Sequence, residues 1–145
     1  MAPLQKRAWL GLGIGVAMSV AILAIFITKG ATSWNEDQGM RLIVYALFIV
    51  GVVLYGIVLF LTRRKPGQPE VIMDERDRVI MSRAPMVQLW AVVVSLVIWT
   101  IALTEVYWDQ GEIPIVFPQL MFFSILIVNV LAQAIGILIG YRRMG

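Results

Sequence analysis

The chain has 145 residues, 60% of them hydrophobic and only 14% charged, with a formal net charge of +3. Soluble domains usually carry about 25% charged residues, and a core of this size cannot hide so much apolar side chain, so much of it must face something other than water. Cysteine and histidine are both absent, which excludes disulfides and thiolate nucleophiles and removes the commonest general base, haem ligand and zinc ligand.

Four apolar runs, at about residues 8–28, 42–62, 86–107 and 118–140, predict transmembrane helices. Each can cross about 30 Å of hydrocarbon at 1.5 Å per residue. None alternates with period 2, so a barrel is not indicated. The expected fold is all-α: an integral membrane four-helix bundle in one domain, residues 1–145. Two transmembrane hairpins are joined by a cytoplasmic connector, residues 63–85, that contains a short amphipathic helix.

Lys6 and Arg7 precede the first run, as in a signal peptide. The run is too long for a usual signal core and no small-x-small cleavage site follows it, so it reads as a retained helix. Gly11 and Gly15, four apart, form a close-approach motif for a neighbouring helix. With no strand before it, this glycine run does not read as a phosphate loop.

Between the first two runs lies the fragment Trp34-Asn35-Glu36-Asp37-Gln38-Gly39. A similar one, Trp108-Asp109-Gln110-Gly111, lies between the last two. Two hairpins of like orientation with like loops are compatible with a duplicated pair.

In the connector, Pro66, Gly67 and Pro69 break the second helix. Asp74 can cap a new helix, Glu75 and Asp77 suit its N-terminal end, and Asp74 and Arg78 are spaced for an ion pair. Met73, Ile80 and Ala84 share one face, and Pro85 marks the entry to the third span or a bend before it. Asp74, Glu75, Arg76, Asp77 and Arg78 therefore read as an interfacial helix or as a docking surface for a cytoplasmic partner. Their spacing does not match a calcium loop, and no metal is expected.

The third span carries Gln88, Ser95 and Thr100, with Glu105 near its outer end as a solvated boundary residue. Pro118 suits the first turn of the fourth span. Further on, Asn129, Gln133, Gly136 and Gly140 follow at intervals of three or four and read as a packing seam or a polar lining. The first and fourth spans are thus candidates to pack together or against another subunit.

Ten of the twelve lysines and arginines lie before the first span, in the connector or after the fourth; only Lys29 and Arg41 lie on the other side. This asymmetry places both termini in the cytoplasm. Trp9 and Tyr141 suit the inner interface, and Trp34, Tyr107 and Trp108 the outer one. Trp99, Tyr45 and Tyr55 fall deeper, where they would pack between helices.

The run Asp74-Glu75-Arg76, followed by Ile80, Ala84 and an apolar helix, resembles the motif of a family of small predicted membrane proteins, the domain of unknown function numbered 2178. The resemblance covers Asp74 to Ala84 together with the hydropathy pattern. It implies two pairs of transmembrane helices and no established chemistry.

No nucleophile–base–acid set can be assembled, so no catalytic residue, cofactor site or enzyme activity is expected. The basic charges are explained by topology, not by nucleic acid. The expected partners are the lipid bilayer and other membrane protein subunits, or a second copy of the chain. The expected role is that of a small accessory, regulatory or assembly protein of a prokaryotic inner membrane. The alternative is an oligomeric transporter or channel using the polar face of the fourth span.

Overall fold

The computed structural model describes residues 3–30, 33–62 and 75–143, and among them every regular element is a helix. They are α1 (Pro3–Lys29), α2 (Ser33–Glu36), α3 (Gln38–Leu61), α4 (Glu75–Tyr107) and α5 (Val116–Arg143). All except α2 are long and apolar enough to cross a membrane. The shortest of these four, α3, has 24 residues and is about 36 Å long at 1.5 Å per residue.

Local signals account for the helix ends. Pro3 begins α1, where its missing N–H is not needed. Gly30, at φ +79°, closes that helix with its N–H on the Phe26 carbonyl at 3.0 Å. This left-handed position is open to glycine at little steric cost. Asp37 precedes α3 in an extended conformation and accepts from the Met40 N–H at 2.9 Å. At the far end of α3 the Thr62 hydroxyl donates to the Val58 carbonyl at 2.6 Å. Pro118 is the third residue of α5, still within the turn whose N–H groups have no helical partner. The last turn of α5 carries Arg142 and Arg143, cations favoured by the helix dipole.

α5 is the centre of the arrangement. α1 lies along one side of it and α4 along another, while α3 packs on α1. Close approach depends on glycine. A Cβ added to Gly15 of α1 would stand 2.6 Å from Leu131 Cδ2 of α5. One added to Gly140 of α5 would stand 2.9 Å from Ile80 Cγ1 of α4. Gly51 of α3 meets the Met18 sulfur of α1 at 2.7 Å in the same sense. Gly13 and Gly56 face open space.

Two buried clusters close the ends of the bundle. Ala8 of α1, Ile80 and Ala84 of α4, and Ile137 of α5 meet at one end. The first turns of α1 and the last of α5 come together there, so it is called the terminal end. Trp34, Met40, Val44, Val116 and Phe123 form the cluster at the loop end.

The structure adds a packing role to Trp34 at the loop end. The sequence pattern puts it at an outer interface, but it is 2% exposed. The short α2 turns its indole back over the bundle, where Phe26 stacks at 5.6 Å and Tyr45 meets it edge-on at 5.9 Å. The Arg41 guanidinium fixes this turn by donating to the carbonyls of Trp34 and Asn35 at 2.7 and 2.9 Å. Hydropathy alone does not distinguish an aromatic ring folded inward from one lying at a boundary.

The connector also differs from expectation. The residues from Glu75 onward are not a separate short helix but the start of α4, 33 residues long with Pro85 inside it. Proline in a helix interior removes one hydrogen bond and crowds the preceding turn. Contacts with α5 hold the helix on both sides of it, through Ile80 and Ala84 before and Val87 after. Asp74, like residues 63–73, lies outside the described residues; Glu75 and Arg76 are described as helix backbone only.

The two loop fragments of similar sequence have different structures. In the first, Trp34 is buried in α2 and Asp37 caps α3. In the second, Trp108 is 76% exposed and Gly111, at φ +69°, turns the chain with its N–H on the Tyr107 carbonyl. What the two share is one backbone turn: the carbonyl before each tryptophan, of Ser33 and of Tyr107, accepts from the N–H four residues on, of Asp37 at 2.8 Å and of Gly111 at 3.3 Å.

The glycine contacts generate a direct comparison. Gly140→Ala is expected to lower stability by about 1–3 kcal/mol through overpacking against Ile80. Gly56→Ala, in open space, is expected to raise it by up to about 1 kcal/mol through helix propensity. Unfolding midpoints in mild detergent report both; an equal response would contradict the close approach of α4 and α5.

Candidate functional site

The polar side chains of α5 form the most organised feature of the bundle. Gln119 accepts from the Tyr45 hydroxyl of α3 at 3.3 Å. One turn and a half further, the Ser124 hydroxyl accepts from the Trp99 indole N–H of α4 at 2.8 Å and donates to the Met121 carbonyl at 2.9 Å. The Asn129 Oδ1 accepts from the Gln88 side-chain amide of α4. The Gln133 Oε1 accepts from the Tyr55 hydroxyl of α3 at 2.6 Å. At the terminal end the Tyr141 hydroxyl donates to the Asp77 carboxylate of α4. Among apolar helices, an amide or hydroxyl without a partner carries its full desolvation cost, so each of these bonds selects a neighbour and its register.

The residues singled out in the sequence fall on different contacts. Asn129, Gly136 and Gly140 all face α4, opposite Gln88, Val87 and Ile80. Gln133, although only four residues from Asn129, bonds across to α3 instead. Gly15 sits against Leu131 of α5, and a Cβ on Gly11 would lie 3.3 Å from the Tyr55 ring. Of the connector residues whose side chains are described, Asp77 is held by Tyr141 and Arg78 is exposed.

Several members of this network were not singled out. Gln119, Ser124 and Gly51 carry no obvious motif. A signal was nonetheless available: a tyrosine or tryptophan deep in an apolar span needs a polar acceptor, and Gln119, Ser124 and Gln133 are polar residues within the facing run.

A crevice of about 240 Å³ lies between α1, α3 and α5, with Met18, Gly51, Tyr55, Leu126 and Asn129 among its lining residues. Its walls are almost wholly apolar. A smaller recess beside it, toward the terminal end, is lined by Arg7, Gly11, Tyr55 and Gln133.

Among the described residues, charge is confined to the two ends. Lys6, Arg78, Arg83, Arg142 and Arg143 are exposed around the terminal end. At the loop end, Lys29 forms an ion pair with Asp37 at 2.5 Å. That ammonium, helped by the Met40 N–H, holds the Asp37 carboxyl below its usual pKa. Among the described residues no three histidine, cysteine, aspartate or glutamate side chains converge as metal ligands. The arrangement holds helices in register.

Two outcomes follow from these contacts. Tyr55→Phe and Gln133→Leu are each expected to destabilise the bundle by about 0.6–1.7 kcal/mol, the range for hydrogen bonds between apolar helices. A double-mutant cycle should return a coupling of similar size, and strict additivity would deny the bond. For Asp37, the lowered folded pKa means that its stabilising charge is fully present above the ordinary carboxylate pKa of about 4 and is lost as pH falls through the lowered value. The thermal midpoint should therefore decline on the acid side of that range, and Asp37→Asn should flatten the decline.

No family model, no curated protein and no solved structure matches this chain.

Proposed function

We propose that the chain is a multi-pass membrane protein in which α1, α3, α4 and α5 are the spans. Both described ends lie on the cytoplasmic side of a prokaryotic cell membrane. Its role is that of a small accessory or assembly subunit that works through helix–helix contacts and its cytoplasmic connector.

Exposed apolar surface supports the membrane reading. Leu89, Trp90, Ile98 and Ile101 of α4 are between 57% and 61% exposed, and Phe60 and Leu61 of α3 are 73% and 75% exposed. Monomeric soluble proteins rarely present contiguous apolar patches beyond a few hundred Å². The orientation rests on the ten basic residues that flank the spans on the terminal side. Kinship with the domain of unknown function numbered 2178 is part of the proposal and rests on the stretch from Asp74 to Ala84.

One observation carries the accessory role. The polar side chains of α5 are matched within the chain, by Tyr45, Tyr55, Gln88 and Trp99, while the outer faces of α3 and α4 stay bare. A transport pathway needs polar groups left available to a solute. Here they hold the bundle, and the available surface is apolar helix and basic connector, both suited to a partner subunit and lipid.

Crosslinking in the membrane followed by purification in mild detergent tests the role. A partner subunit at fixed stoichiometry is expected. A lone species without one, or ion flux through vesicles holding the pure protein, would overturn it. Orientation is read from Gln68→Cys, which an impermeant maleimide should reach only after the membrane is opened.

A further inference from the structure

The crevice between α3 and α5 plays no part in holding the bundle. It exists because α3 approaches α5 through side chains and not closely along the backbone, whereas both helices pack tightly on α1. The Tyr45–Gln119 bond closes the gap toward the loop end and the Tyr55–Gln133 bond crosses it toward the terminal end. Between them the opening faces sideways, past the half-exposed Val52.

Three features describe what fits. First, the walls are almost wholly apolar, and among their polar atoms the Tyr55 hydroxyl is engaged by Gln133 and the Asn129 amide oxygen by Gln88. Hydrocarbon satisfies such a lining, and a volume of about 240 Å³ suits a slender chain better than a helix bearing side chains. Second, the crevice and the recess beside it together fit within one leaflet. The crevice is lined on α3 from Phe48 to Tyr55, about 10 Å of helix, and Arg7 of the recess lies about 16 Å along α1 from Met18, against half of a hydrocarbon core about 30 Å thick. Third, a cation lies beside the crevice, on the terminal side of the Tyr55–Gln133 bond, where a headgroup would sit if its acyl chain passes over that pair and enters by the sideways opening. Arg7 lines the adjoining recess, which shares Tyr55 and Val130 with the crevice. No carboxylate among the described residues pairs with Arg7, and Lys6 beside it is exposed.

We propose that the crevice binds one acyl chain of an anionic phospholipid from the leaflet at the terminal end, with the phosphate headgroup held at Arg7. The inference rests on the four-span reading above. The chain lies between α3 and α5 over α1, fills the space that backbone packing leaves open, and makes lipid a structural partner of the bundle.

The full chain is reconstituted into phosphatidylcholine vesicles containing phosphatidylglycerol with a diazirine near the middle of one acyl chain. Photolabelling is mapped by peptide mass spectrometry. Label is expected on α3 and α5 around Val52 and Leu126. Val52→Phe, which fills the crevice from an already exposed position, should reduce that label to background. Arg7→Gln should lower the advantage of phosphatidylglycerol over a phosphatidylcholine probe about fivefold, as for one cation near a charged leaflet. Label spread evenly over the bare faces of α4, or unaffected by Val52→Phe, overturns the site. Displacement by a long-chain quinone but not by unlabelled phosphatidylglycerol overturns the choice of ligand. A protein that does not float with the vesicles overturns the four-span reading, and this one with it.

Discussion

Whereas serine and threonine hydroxyls can bond to a carbonyl of their own helix, the tyrosine, tryptophan and amide side chains of these apolar helices find partners on another helix, and that pairing runs through α5. Tyr45 and Tyr55 bring α3 to it, and Trp99 and Gln88 bring α4. Apolar contact alone is poorly directional, so it would allow these helices to slide or rotate against one another. Each side-chain bond fixes one height along α5, and two bonds to the same neighbour fix its tilt as well. Gly140 allows the backbones of α4 and α5 to come near enough for the bonds between them, and Gly15 brings α1, which makes none of these bonds, equally close to α5.

The two ends of the bundle are closed by different means. At the loop end, large rings fill the space: Trp34 folds in against Phe26 and Tyr45, and Phe48 packs on Phe123 at 4.6 Å between centroids. Arg41 and the Lys29–Asp37 pair secure the polar turn that carries Trp34 there. At the terminal end the contact is made by small residues, Ala8 and Ala84, with Ile80 and Ile137, and the cations stay outside it. The middle has neither large rings nor close backbones between α3 and α5, and the crevice is the consequence.

The distribution of charge follows from the same packing. The charged groups lie at the ends, and the described interior buries no charged side chain. The long α4 runs without a break from Glu75 into the bundle, packed on α5. Pro85 marks the weak point of that element, held helical by the packing of its neighbours.

The amino-acid sequence by itself determined the helical class and the four long apolar elements, because segment length and hydropathy are local properties that need no partner. The residues that end or begin the helices, Gly30, Asp37 and Gly111, answer local backbone demands, but were not singled out for that role from the sequence. Only the tertiary structure decided which neighbour each polar group serves. Asn129 and Gln133 look like one stripe at a spacing of four, yet they bond to α4 and α3 respectively. It alone decided that Trp34 turns inward and that Pro85 sits within a continuous helix. Those outcomes depend on residues up to 78 positions apart, as in Tyr55 and Gln133, and a helical period read along one segment carries no record of the helix that will face it.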